Sequence, residues 1–136
     1  GLPTGEVRNQ LIYLQDLVPT VYDLVGIKKP NHLEFISQIN ALKSSKASSH
    51  RKAIYSAYLQ EAQRMVTDGH YKLFFIPASK DAYLFDLEKD PQETNNLFGS
   101  PQYKRIVKRL CAEYQKLSKE SGDTFNLAAI YPELFQ

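Results

Sequence analysis

Apolar and polar positions along this chain follow distinct rhythms, and each rhythm predicts a different kind of element. In the first stretch, Val7 to Ile27, the run from Leu11 to Tyr13 predicts a short, mostly buried strand. A helix is predicted to follow from Asp16, whose carboxylate is placed to cap the free N–H groups of the first turn. Pro19 falls within that turn, where its missing N–H costs no hydrogen bond. Leu17, Val21, Leu24 and Val25 share one face at helical spacing. Gly26 suits the left-handed residue that ends a helix, and Pro30 blocks its resumption. The polar, small-residue run Ser44 to Ser49 then predicts an exposed, mobile loop.

The second stretch reads as four short strands: Ala53 to Leu59, Arg64 to Thr67, Tyr71 to Ile76 and Tyr83 to Leu87. Asp68-Gly69 between the second and third tolerates the positive φ of a tight hairpin, and such short connections require antiparallel pairing. The third stretch is a helix. Tyr103, Ile106, Val107, Leu110, Tyr114 and Leu117 recur at steps of three and four, while Lys104, Arg105, Lys108 and Lys116 lie largely off that stripe. Ser100 is the expected cap, Pro101 sits near the first helical position, and Gly122 ends the element. The tail from Thr124 carries apolar anchors in Phe125, Ile130, Tyr131 and Phe135 without a period. An amphipathic helix beside four antiparallel strands implies an α+β layer with the helix covering one sheet face.

Composition narrows the function more than the fold. The chain has 136 residues, enough for one domain, with 43% hydrophobic and 24% charged residues. Seventeen basic against fifteen acidic side chains leave +2, too weak a surplus to imply nucleic acid as a partner. No apolar run approaches the roughly 20 residues that span a bilayer. The N-terminal Gly1-Leu2-Pro3 has neither an initiator Met nor a leader pattern, and this does not bear on location, because a chain starting in mid-sequence would lose any leader. A single cysteine, Cys111, excludes an intramolecular disulfide and a multi-cysteine zinc site.

Candidate chemistry is sparse. His32, His50 and His70 have no His, Cys or carboxylate neighbour at ligand spacing, so no metal site is expected. Cys111 lies between Leu110 and Ala112 in the amphipathic helix and reads as a small buried hydrophobe. Asp86, Glu88, Asp90 and Glu93 form the densest acidic cluster. It reads either as a cation or general-base site or, preferably, as an Asp-Pro turn that satisfies loop amides. The basic stretch Lys43, Lys46, His50, Arg51 and Lys52 either attracts an anion or is a solvated loop; its irregular spacing favours the loop.

Four segments, in order, resemble the C-terminal region of the sulfatase family of the alkaline-phosphatase-like superfamily. Asp16-Leu17-Val18-Pro19-Thr20, continuing to Gly26-Ile27 and Pro30, resembles its D-L-x-P-T-x-x-x-L-x-G-I segment. Arg64-Met65-Val66-Thr67-Asp68-Gly69-His70-Tyr71-Lys72-Leu73 is similar to its R-x-V-R-D-G-x-Y-K-L hairpin. Leu84-Phe85-Asp86-Leu87, with Asp90-Pro91, Glu93 and Asn96-Leu97, resembles its L-[YF]-D-L-x-x-D-P-x-E-x-x-N-L segment, and Gly122-Asp123 matches the usual ending. Two positions depart: Phe35-Ile36-Ser37-Gln38 stands where the family has G-x-S-L, and Thr67 where the hairpin carries a second Arg.

The resemblance implies an α+β fold: a four-stranded antiparallel sheet packed against a C-terminal amphipathic helix, preceded by a helix at the edge of a missing α/β domain. The implied boundaries are 1–30 for the end of the large domain and 31–52 for a linker and loop. The sheet-and-helix subdomain would take 53–123 and the tail 124–136. The family's C/S-x-P-x-R segment is absent, and Cys111 is followed by Ala112-Glu113-Tyr114, so it is not the residue oxidised to formylglycine. The calcium ligands and the leaving-group His and Lys would also lie upstream. No catalytic or metal-binding residue is therefore assigned here, and the formylglycine and divalent cation belong to the parent.

Implied partners are the upstream catalytic domain and a sulfated small molecule or glycan, with neither nucleic acid nor a membrane span. The family places its members in periplasm, lysosome or secretions. The loop from Tyr58 to Arg64 is the expected rim of the substrate pocket. Arg64, Gln60 and His50 are its candidate substrate contacts, Arg64 having the competing role of a salt bridge between subdomains. Competing functions are a phosphonate or phosphodiester hydrolase of the same superfamily, or an autonomous module that binds sulfated glycans. Removal of a large domain further predicts an exposed apolar face around Leu11 to Val25.

Overall fold

A computed structural model describes residues 2–59 and 62–136. The chain divides into two compact units, Gly1–Lys52 and Ala53–Gln136.

In the first unit, Leu14–Asp16 make one 3-10 turn that leads into helix α1, Leu17–Val25, and a short helix α2 spans Ile39–Lys43. Leu11 to Tyr13 form no strand: Ile12 is exposed and its neighbours only half-buried. A strand needs a hydrogen-bonded neighbour, and the described residues offer this segment none. Asp16 does not cap α1 either. Because a 3-10 turn precedes the helix, its carboxylate turns back and accepts the Tyr13 N–H at 2.9 Å. Gly26 ends α1 at φ +70°, in the left-handed region.

Helix α1 leaves most of its apolar residues open. Its buried residues are Pro19 and Thr20, whereas Leu17, Val18, Val21, Leu24 and Val25 are about half exposed. Exposed apolar residues are therefore present within the stretch from Leu11 to Val25, and Val7, Leu14 and Ile27 are exposed as well. The Ser44 to Ser49 loop is largely exposed but tied down: Gln10 Nε2 donates to the Ala47 carbonyl at 2.6 Å and Ser49 Oγ accepts the Leu11 N–H.

In the second unit, β1 (Ile54–Tyr58), β2 (Gln63–Thr67), β3 (Tyr71–Ile76) and β4 (Asp81–Asp86) form an antiparallel meander in the order β1-β2-β3-β4. Val66 pairs with Leu73, and Leu73 with Leu84, across the middle of the sheet. The β2–β3 turn works as expected: Gly69 has φ +91°, and the Asp68 carboxylate accepts the His70 and Tyr71 N–H groups. β4 begins at Asp81, two residues earlier than the pattern suggests. The Tyr131 hydroxyl fixes that corner by donating to the Asp81 carbonyl at 2.8 Å.

After a 3-10 turn at Pro101–Tyr103, helix α3 runs from Lys104–Glu120. Ser100 precedes it but makes no side-chain cap bond. The helix covers one sheet face: Val107, Leu110, Cys111 and Tyr114 pack with Tyr55, Val66, Leu73, Phe75 and Leu84. Leu127 and Tyr131 from the tail close this core. The acidic segment after β4 is a turn. Asp90 accepts the Asn95 N–H at 2.8 Å, and Asn96 and Leu97 hydrogen-bond the outer edge of β4 at Leu84. That cover removes β4 as an open edge.

Candidate functional site

Two buried ion pairs organise the polar chemistry of the chain, one in each unit. In the first unit, Asp16 is fully buried at the foot of α1. Its Oδ1 accepts the Ile36 N–H at 3.1 Å, and Oδ2 accepts the Gln38 side-chain amide at 3.2 Å as well as the Tyr13 N–H. Arg51 supplies the counter-charge through both terminal nitrogens and stacks its guanidinium 4.8 Å from the Tyr13 ring centroid. Thr20, one turn on, accepts the Gln38 N–H at 2.8 Å. Burial disfavours the charged carboxylate, but the Arg51 hydrogen bonds and the Tyr13 and Ile36 amides outweigh it. The Asp16 carboxyl therefore lies below the ordinary carboxylate range.

In the second unit, Arg64 on β2 is 3% exposed. Its Nε donates to Asp123 Oδ2 at 2.7 Å and Nη2 to Oδ1 at 3.2 Å, while Nη1 donates to the Leu59 and Gln63 carbonyls. The guanidinium lies 4.6 Å from the Phe125 ring centroid. The Tyr55 hydroxyl donates to the same Asp123 carboxylate. Burial raises the Asp123 pKa and the bonds from Arg64, Tyr55 and the Phe125 amide lower it; the net direction is down. The phenols respond in the opposite sense. Tyr114 is pushed up to about 12, first by burial and then by the Asp123 charge.

Arg64 thus sits at the foot of the β1–β2 loop and holds it. Tyr58 and Leu59 at the loop's near side are 61% and 68% exposed, and Leu59 adopts φ +50°. A non-glycine residue there carries strain of about 1–2 kcal/mol, which the Arg64 bond to the Leu59 carbonyl helps to hold. Beside the loop a shallow cavity of about 160 Å³ is lined by Ser56, Tyr58, Gln63, Arg64, Met65, Lys72 and Phe74. Lys72 is paired with Glu93 at 2.6 Å.

Of the three sequence candidates, Arg64 is buried and pairs with Asp123 of its own unit, His50 is exposed in the other unit, and Gln60 lies outside the described residues. Arg51, grouped by sequence with a basic surface stretch, is instead the internal partner of Asp16. Asp16 and Asp123 carried little sequence signal beyond their places in the resembling segments.

Among the described residues no group of three or more His, Cys, Asp or Glu side chains is arranged to hold a metal ion. Cys111 is buried, and burial pushes its thiol up to about 12. These residues fit neither a divalent cation nor a formylglycine nucleophile.

The family model described as N-sulphoglucosamine sulphohydrolase, C-terminal, matches residues 1–120. The chain belongs to this sulfatase C-terminal family. An uncharacterized protein of Haemophilus influenzae is 33% identical over 119 residues, covering 85% of this chain and 60% of that protein. A delta 4,5-hexuronate-2-O-sulfatase of Bacteroides thetaiotaomicron is 31% identical over 114 residues, covering 77% of this chain and 24% of the enzyme.

Among solved structures, a 2-O GAG sulfatase is 30% identical with a TM-score of 0.65, covering 79% of this chain and 25% of that one. The phosphonate monoester hydrolase of Silicibacter pomeroyi shares the fold, with a TM-score of 0.68 at 21% identity over 91% of this chain and 28% of that one. The chain spans 60% of the first of these proteins and about a quarter of the others. The expected α+β arrangement, four antiparallel strands followed by a helix over one sheet face, is the one this chain adopts.

Proposed function

We propose that this chain is the C-terminal part of a sulfuric ester hydrolase, where it closes the fold and supplies one edge of the substrate pocket. The observation that carries this reading is the open apolar surface of α1: only Pro19 and Thr20 are buried, while Leu17, Val18, Val21, Leu24 and Val25 are about half exposed. A helix with that pattern belongs against a further apolar layer. In this reading the layer is the upstream catalytic domain, so residues 1–30 end the large α/β domain and 31–52 lead out of it. Residues 53–123 form the small subdomain and 124–136 its tail.

The substrate is a sulfated small molecule or glycan, in keeping with the names of the relatives. The rim is the loop from Tyr58 to Arg64. Arg64 acts there by fixing the loop, because its donors face Asp123, Leu59 and Gln63. His50 and Gln60 are proposed as direct substrate contacts. A divalent cation, calcium in the family, and a formylglycine hydrate would supply charge stabilisation and the nucleophile from upstream residues.

Mass spectrometry of the intact parent protein tests this. A peptide upstream of Gly1 should carry a Cys or Ser converted to formylglycine. An intact parent with no such residue would remove the proposal. The phosphonate or phosphodiester reading shares the fold and is separated by relative rates on sulfate and phosphonate esters.

A further inference from the structure

Helix α3 segregates charge. Lys104, Arg105, Lys108, Arg109, Lys116 and Lys119 are all exposed, and its only carboxylates are Glu113 and Glu120. At 100° per residue the six cations fall within an arc of about 140°, with both carboxylates beyond its edge. They extend along about 23 Å of helix. Arg109 pairs with Asp68 at 2.6 Å; the other five make no ion pair among the described residues. Lys104 with Lys108, and Arg105 with Arg109, are like-charge pairs at i,i+4, a spacing that destabilises a helix. Four of these cations also occupy the first two turns, where carboxylates are the stabilising choice. Apart from the Arg109–Asp68 pair, and Glu113 and Glu120 four residues beyond Arg109 and Lys116, the ridge breaks this local rule, as suits a surface that meets an external partner.

At the Lys104–Lys108 end the ridge borders a cavity of about 480 Å³ with Phe98, Val107 and Leu134 in its walls and Glu133 at its edge. The volume is that of a small-molecule recess, and its apolar walls suit the C–H face of a sugar ring. The sheet behind the helix offers no comparable row of cations.

We propose that the outer face of α3 is a binding ridge for a linear sulfated glycan, separate from the loop at Tyr58 to Arg64. Charge complementarity along a straight row fits a linear polyanion. The choice of sulfated glycan over nucleic acid rests on the sulfatase reading. The ridge would hold an extended chain by several weak, salt-sensitive contacts while another part of that chain is processed.

The test is fluorescence anisotropy of the 136-residue chain with a labelled heparin-derived oligosaccharide over a salt series. A variant carrying Lys104→Gln, Arg105→Gln, Lys108→Gln and Lys116→Gln should keep its circular dichroism and lose at least about tenfold in affinity at low salt. A charge-matched control, Lys28→Gln, Lys43→Gln, Lys46→Gln and Lys52→Gln, should stay within about twofold. The desulfated oligosaccharide should not bind. Equal losses in both variants, no binding by the parent chain, or equally tight binding of single-stranded DNA of matched charge would each overturn the proposal. Because the readout is binding, a silent ridge leaves sulfate hydrolysis by the intact parent untouched, and an inactive parent leaves the ridge measurable.

Discussion

Arg51 grips the carboxylate of Asp16 with both terminal nitrogens, Nη1 to Oδ2 at 2.6 Å and Nη2 to Oδ1 at 2.7 Å. The acid is fully buried and the base nearly so. Thirty-five residues separate the two, so this contact ties the end of the first unit back to the foot of α1. Removing one partner of a buried pair strands the other charge, at a cost of about 3–5 kcal/mol. Arg51→Ala should therefore unfold the first unit in the isolated chain, read as lost amide protection over residues 13–38. Arg51→Lys should rescue it only in part, since an ammonium cannot reproduce the paired geometry. Unchanged protection in Arg51→Ala would show that the pair is ornamental.

Carboxylates held in ion pairs and amide bonds contribute to the acid limit of the fold. Asp16 and Asp123 both have pKa values held below the unfolded value. Their contribution is fully present above the unfolded pKa of about 4 and is lost as pH falls through the lower folded value. Thermal midpoints should be flat from neutral pH down to about 5 and fall steeply below about 4. Asp123→Asn should lower the midpoint at neutral pH and flatten part of the acid slope. An acid slope equal to that of the parent chain would contradict the assignment.

Much of the second unit was legible in the sequence, and the reason is local. Asp68-Gly69 demands a tight hairpin, and the stripe Val107, Leu110, Tyr114 demands a sheet to cover. The first unit was harder to read because its polar contacts are long-range. Asp16 looks like a helix cap when only its own turn is considered. It becomes a hub only when Ile36, Gln38 and Arg51 fold back to it. Likewise Leu11 to Tyr13 has the composition of a strand but no partner strand among the described residues. Arg64 reads from sequence as a substrate contact or a salt bridge between subdomains, and nothing in its own segment announces Asp123, fifty-nine residues away.

Apolar residues on the two main helices should respond oppositely to substitution. Leu110 is fully buried against the sheet, so Leu110→Ala should cost the isolated chain about 2–5 kcal/mol in chemical denaturation. Val21 is 54% exposed on the open face of α1, so Val21→Lys should cost less than about 1 kcal/mol. It should also reduce self-association on a sizing column. In the intact parent the ranking should shift, with Val21→Lys lowering yield and stability once that face is covered. A large loss in the isolated chain would mean that the face is already packed.

Cys111 gives a simple probe of the core. Its thiol is buried and pushed up to about 12, so alkylation at pH 8 should be undetectable in the native chain and complete in denaturant. Rapid native labelling would show that α3 does not cover the sheet as described.

The central claim is that these residues complete a sulfuric ester hydrolase without carrying its chemistry. Release of inorganic sulfate, measured side by side for the intact parent and the isolated 136-residue chain, tests it most directly. The account predicts sulfate release from aryl and glycan sulfates by the parent, faster than its hydrolysis of matched phosphonate esters, and none from the chain alone. Sulfate release by the chain alone, or a parent that cleaves only phosphonate esters, would contradict it.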